Sequence, residues 1–238
     1  MIPKFEARSA SGPLEVAGIE LPQLFDLVMN QGAVAVRAAF EPERLTQLRG
    51  AVHAWGLRTE AMPPQTYLDE NFHAVETGIS PRQKTVHCYH AYNFNKLRSL
   101  DDEARDGLLG MFERMSVFQN RLTGQAGDFA FDADGRKQRP QIIHYPSGGG
   151  LFGRHTHPLE PQRIGLILGL SQRGRDFRSG ATGFEVDGRG LGTEDCHDIG
   201  DLILFRFDIP HWVTAVDQGD KFDQYSERGR WTAVLPFY

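Results

Sequence analysis

The chain has 238 residues, enough to bury a sizeable core, and its formal charge of −5 offers no basic face for nucleic acid or for an anionic membrane. Glu6, Glu15, Glu20 and Asp26 break up the first thirty residues, and no run of eighteen apolar residues occurs anywhere, which argues against a signal peptide and a membrane-spanning helix. Two cysteines, Cys88 and Cys196, form no C-x-x-C motif and fit free thiols in a reducing compartment, so the expectation is a cytoplasmic protein with a small-molecule partner.

In chain order, Leu21, Leu24, Phe25, Val28 and Met29 recur at helical spacing, and Gly32 supplies the stop. Residues 33–37 read as a short strand, and a second helix runs from Glu41 to Trp55 with Pro42 in its first turn, where a missing N–H costs nothing. Residues 61–96 are the least regular part. They hold Met62-Pro63-Pro64, Pro81 and a dense cluster from His87 to Asn95, which reads either as a lid over a site or as a Tyr/His-rich strand packed on the body of the protein. From Asp101 to Thr123 a stripe of Leu108, Leu109, Phe112, Met115, Phe118 and Leu122 predicts a helix with a core-facing side.

After residue 140 the pattern changes to short apolar runs at 141–145, 164–170, 182–186, 202–207, 212–216 and 231–237. Gly148-Gly149-Gly150, Gly188, Gly190, Gly192 and Gly200-Asp201 punctuate them. Many short strands with glycine turns predict a β-sandwich or barrel with a ligand cavity in its mouth. A single domain is expected, with residues 1–138 as a helical and mixed support and lid region and residues 139–238 as the β-core. There is no G-x-S-x-G elbow, and Gly148–Gly150 lacks the Lys and Ser/Thr of a phosphate loop.

The chemistry concentrates in this second half. His155-Thr156-His157-Pro158 carries two imidazoles at a spacing that a strand would turn to one face, and His211 follows 54 residues after His157. Imidazole nitrogen suits iron, zinc, copper and nickel. Near the C-terminus stands Arg230-Trp231-Thr232, whose guanidinium fork and hydroxyl could grip a carboxylate together. Arg173, Arg175 and Arg178 crowd one loop with Asp176, as an acid-binding group or as a solvated charged turn. The remaining histidines, His53, His73, His87, His90, His144 and His197, read as surface or core residues.

The stretch from about residue 141 onward resembles the double-stranded β-helix core of the iron(II)/2-oxoglutarate-dependent oxygenases, in the neighbourhood of the phytanoyl-CoA-hydroxylase-like members. In that family an H-x-D/E pair and a distal His hold iron, and an Arg followed two residues later by Ser or Thr binds the far carboxylate of 2-oxoglutarate. His155-Thr156-His157-Pro158 stands where H-x-D-P would be, Gly200-Asp201 and an apolar run precede His211, and Arg230-x-Thr232 stands at the co-substrate position. Tyr145, at the end of the strand before the glycines, lies where relatives can touch the oxoacid. The helix-strand-helix opening also looks like that of the family. The resemblance implies a mainly β fold with flanking helices, a jelly-roll barrel, and an oxygenase that uses Fe(II), 2-oxoglutarate and dioxygen to oxidise a small molecule by hydroxylation or a related C–H functionalisation.

His157 departs from the family, since it occupies the slot of the carboxylate ligand and leaves the full +2 charge on the ion. The residues leave three arrangements open. Metal is held by His155, His157 and His211; or by His155, His211 and Glu160, with His157 swung aside; or weakly, the barrel serving another purpose such as sensing a small acid or metal. The same segment is similar to the first motif of metal-binding cupins, with Glu160 as a ligand and no oxoacid, and Arg230-x-Thr232 distinguishes the oxygenase reading from it.

Overall fold

The computed structural model describes residues 1–62, 70–80, 84–100, 104–130 and 135–237. Three helices form where the apolar spacing predicts them. Helix α1 (Leu21–Gln31) buries Leu24 and Val28 and stops at Gly32, which takes a positive φ of 81° while its N–H closes on the Val28 carbonyl at 2.9 Å. Helix α2 (Pro42–Arg58) begins on its proline and turns Leu45, Leu48 and Val52 inward. Helix α3 (Arg105–Thr123) buries Leu108, Met111, Phe112, Met115, Phe118 and Leu122, each contributing about 2–3 kcal/mol by leaving water. The first residues expected in this helix, 101–103, lie outside the described residues.

Twelve strands make one curled sheet. Along it run β1 (Lys4–Glu6), β2 (Ala33–Arg37), β10 (Leu202–Arg206), β7 (Ile164–Gly169), β12 (Gly229–Val234), β5 (Gln141–Pro146), β4 (Val86–Phe94), β6 (Leu151–His155), β11 (His211–Val213), β8 (Thr182–Val186) and β9 (Arg189–Gly192), with β3 (Asn71–Ile79) paired to β4. The register shows why the sheet doubles back. Residues 90–93 of β4 pair with β5, whereas His87 and Cys88 pair with β6, so β4 is the seam between two facing layers. One layer is the run from β2 to β5 and the other is β6, β11, β8 and β9, which is a jelly roll with helices packed on the outside.

Alternation along the strands sorts the side chains. On β12, Trp231 and Ala233 join the core under the helices, while Arg230 and Thr232 face an interior cavity between the layers. The β5–β6 turn is glycine-specific: Gly148 sits at φ 93° with its missing Cβ pressed against the backbone of Phe222, and a Cβ on Gly150 would strike the Pro146 backbone.

Several elements differ from the sequence-based expectation. Of the cluster from His87 to Asn95, residues 87–94 lie in strand β4, as the strand reading expects, while residues 63–69 and 81–83 of the same irregular region lie outside the described residues. Strand β3 was not expected, because its run of Asn, His, Glu and Thr lacks a clean apolar alternation. Strand β6 is absent from the apolar runs because Gly153 and Arg154 interrupt it, and it ends at His155, so His157 lies in the following loop rather than two places along one strand as the H-x-H spacing suggests. Among the described residues, no helix is long and apolar enough to cross a membrane.

Candidate metal centre and anion pocket

His155 ends β6 and His211 opens β11, and the two are directly opposite partners in the antiparallel register. Directly opposed positions bring Cβ atoms within about 5 Å, so the pairing of two residues far apart in sequence creates half the site. His157 swings in from the loop, its ring stacked on Phe207 at 4.5 Å. One nitrogen from each of the three rings lies within 4.8 Å of the others, and no other such group of His, Cys, Asp or Glu occurs among the described residues.

The tautomers follow from the backbone. His155 Nδ1–H donates to the Gly153 carbonyl at 2.9 Å, and His211 Nδ1–H donates to the Ile209 carbonyl at 3.0 Å. A carbonyl can only accept, so both rings leave Nε2 as a free lone pair, the state a metal requires. Burial pushes the pKa of His155 down and that of His211 well down, the latter helped by the neighbouring imidazoles, so both rings are neutral near pH 7. Phe152 stacks on His155 at 4.1 Å and fixes its plane.

Glu160 does not join them. It is turned to solvent, with its side chain 66 % exposed, and pairs with Arg163 at 3.1 Å. The arrangement with Glu160 in place of His157 is therefore not the one the fold adopts.

Arg230 and Thr232 lie in the same cavity, which has a volume of about 440 Å³. Arg230 is 4 % exposed, and its Nη2 donates to Thr182 Oγ1 at 2.7 Å and to His197 Nδ1 at 3.3 Å. Its Nη1 is buried without a hydrogen-bond partner, and no carboxylate pairs with it among the described residues. Burial lowers its pKa to about 10, so it remains a cation at neutral pH. A buried cation with an orphaned donor is costly unless an anion meets it. Tyr145 is its cross-strand partner, with the guanidinium 5.8 Å from the ring; burial pushes this phenol up to about 12, so it stays a neutral donor. Thr232, 2 % exposed, sits two residues along the same face.

Sequence reasoning missed His197, Thr182 and Phe152. His197 accepts from a guanidinium that can only donate, so it is neutral, and burial first and Arg230 second lower its pKa to about 3. No spacing signal marks it, since it lies in the loop before β10. The three arginines of the loop are exposed and Arg178 pairs with Asp220, as in a solvated charged turn, whereas Asp176 is only 11 % exposed and pairs with the buried Arg49 at 2.6 Å as well as with Arg175.

Neither a protein-family model nor a curated protein sequence matches the chain. Solved structures do. A Pseudomonas putida prolyl-4-hydroxylase superposes with a TM-score of 0.61 at 15% identity, over 90% of this chain and 97% of that one. An oxidoreductase of the 2OG-Fe(II) oxygenase family from Burkholderia pseudomallei gives 0.56 at 14% identity, over 100% of this chain and 95% of that one. A Trichoplax adhaerens prolyl hydroxylase, solved with a hypoxia inducible factor peptide fragment, gives 0.57 at 15% identity, over 92% and 90%. At these identities the likeness is one of fold. This chain therefore has the jelly-roll fold found in 2-oxoglutarate/iron(II) oxygenases, with a histidine triad and a buried arginine inside it.

Proposed function

We propose that the protein is a 2-oxoglutarate-dependent iron(II) dioxygenase, an oxidoreductase acting on a small molecule, with a three-histidine metal site. The observation that carries this reading is Arg230: a buried guanidinium with an unpaired Nη1, in the same cavity as three converging imidazoles. The donor set fits iron(II), because neutral imidazole is a suitable ligand and His155 and His211 are held by backbone carbonyls with Nε2 free. It also fits a dianionic oxoacid. Three neutral ligands leave the ion's charge uncompensated, and Arg230 adds another positive charge, so an incoming dianion meets complementary charge at both ends.

In this reading His155, His157 and His211 hold iron, which when bound supplies the chemistry of dioxygen activation coupled to oxidation of the oxoacid and the substrate. Arg230 grips the far carboxylate through its fork, Thr232 adds a hydroxyl donor, and the neutral Tyr145 phenol donates a further hydrogen bond. Thr182 and His197 orient the guanidinium. Phe205 and Phe207 keep water from the triad side of the cavity. The cupin-type alternative needs Glu160 beside the histidines, and that residue lies on the surface.

The test is anaerobic titration of iron(II)-loaded protein with 2-oxoglutarate, following the weak visible charge-transfer band of a bound oxoacid. Arg230→Ala is expected to retain metal and to weaken oxoacid affinity about a hundredfold, the worth of two charge-assisted hydrogen bonds at a desolvated site. A loaded protein with no band, or an Arg230→Ala variant of unchanged affinity, sinks this assignment of the pocket.

A further inference from the structure

The cavity wall continues past the anion pocket. The registers of β12 with β5 and of β4 with β3 place Arg230 opposite Tyr145 and Tyr89 opposite Glu76, and the rings of Tyr145 on β5 and Tyr89 on β4 meet edge-on at 5.9 Å. These side chains form one row across four neighbouring strands, all facing the cavity. At a strand spacing of about 4.8 Å, Glu76 lies roughly 14 Å from Arg230. The row begins with a cation, ends with a carboxylate, and has two phenols between them.

Glu76 is half-buried, accepts a hydrogen bond from the Tyr89 hydroxyl, and has no ion-pair partner among the described residues. Burial raises its pKa, partly offset by the Tyr89 hydrogen bond, so a cation placed beside it would favour the ionised form. Phe72, Ala74, Ala91 and Phe152 give the same cavity an apolar wall, alongside the polar Ser80, Asn93 and Gln141. Phe152 also ties this end to the triad, because it stacks on Tyr89 at 5.1 Å and on His155 at 4.1 Å. A short molecule anchored at Glu76 therefore lies against Tyr89 and Phe152 with its other end beside the histidines.

We propose that Glu76 is the specificity-determining residue of this cavity and that the substrate carries a cationic nitrogen, an amine or a guanidinium, on a short apolar or aromatic body. The proposal rests on the oxygenase reading for what happens to that molecule, and on the cavity alone for its binding. With an oxoacid held at Arg230, Glu76 is the one remaining charged group among the described lining residues, and a half-buried carboxylate discriminates by rejecting neutral and anionic analogues that leave it unpaired.

The experiment is calorimetric titration with two matched probe pairs, 2-phenylethylamine against 2-phenylethanol and pentylamine against 1-pentanol. Each is run on the metal-free protein and on protein loaded with zinc(II) and 2-oxoglutarate. The amine of each pair is expected to bind at least tenfold more tightly than its alcohol. Glu76→Gln, which keeps the side chain's size and its acceptor for Tyr89, is expected to erase that preference, to leave alcohol affinity unchanged and to melt at the wild-type temperature. Equal affinity for amine and alcohol, a preference that survives in Glu76→Gln, or no amine binding in either state overturns the proposal. Amine selectivity without an oxoacid charge-transfer band would retain Glu76 and discard the oxygenase reading; the reverse result would discard Glu76 alone.

Discussion

Two histidine groups lie on opposite faces of the β3–β4–β5 region and its neighbours, and they use the same side chain in different ways. His155, His157 and His211 face the cavity; His73, His90 and His144 face the helices. In the second group His73 Nε2 meets His90 Nδ1 at 2.8 Å, His73 stacks on Tyr92 at 4.6 Å, and His144 stacks on Trp231 at 4.0 Å. These rings pack as aromatic core. In the cavity group, a carbonyl two residues upstream takes Nδ1–H of both His155 and His211 and leaves Nε2 as the ligand atom, in a triad with one nitrogen from each ring within 4.8 Å of the others. Backbone direction, not the number or closeness of histidines, is what makes a candidate metal site.

The sharpest way to break this comparison is to remove one ring from each group. His211→Ala is expected to lower affinity for iron(II) or zinc(II) by at least about a hundredfold, since losing even an outlying partner of a ligand costs 10–100-fold. His144→Phe, which keeps the stack on Trp231 but loses the hydrogen bond to the Arg228 carbonyl, is expected to leave metal stoichiometry at one and to cost about 1 kcal/mol of stability. Metal titration with chemical denaturation of both variants decides it, and metal loss in His144→Phe would erase the distinction.

The helix-facing group is also expected to govern stability in mild acid. Burial first, and neighbouring His73 and His53 next, lower the His90 pKa from 6.5 to about 4, and burial lowers that of His144 well below 6.5. A depressed histidine is neutral in the fold and takes up its proton more readily when unfolded. Its contribution is therefore complete above pH 6.5 and is lost as pH falls from there toward 4. Metal-free protein is expected to lose about 3 kcal/mol through His90 across that window, and His90→Phe to flatten the slope by about one proton. Urea midpoints at pH 7, 6, 5 and 4 measure it; a variant slope equal to wild type would show that His90 titrates normally.

The smallest expected effect sharpens the boundary of the site. Glu160→Ala is expected to leave metal affinity within twofold of wild type and stability within about 0.5 kcal/mol, because an exposed pair such as Glu160–Arg163 contributes little. A tenfold loss of metal affinity would mean that Glu160 turns inward once the ion binds.

Much of the fold could be read in advance, because apolar periodicity and glycine stops are local. Leu21, Leu24 and Val28 with Gly32 predicted α1, and the Ala-Val alternation of residues 33–37 coincides with β2. Strands 164–170 and 182–186 were legible as apolar runs, whereas β6 was not, since Leu151 to His155 contains Gly153 and Arg154. The histidines were legible as a spaced trio and Arg230-x-Thr232 as a pair. Their partners were not: Thr182 precedes Arg230 by 48 residues, and nothing in either segment announces the other.

The sequence by itself therefore determined the element types, the short-strand β-core and the residue kinds available for chemistry, because these depend on periodicity within a few residues. Tertiary structure decided which of those residues meet. The side-chain alternation of a strand assigns a face, but register assigns neighbours, and register is set by pairing between distant segments. That is how His155 comes to oppose His211, how Glu160 is left outside, and how a row running from Arg230 to Glu76 forms from four strands that are scattered along the chain.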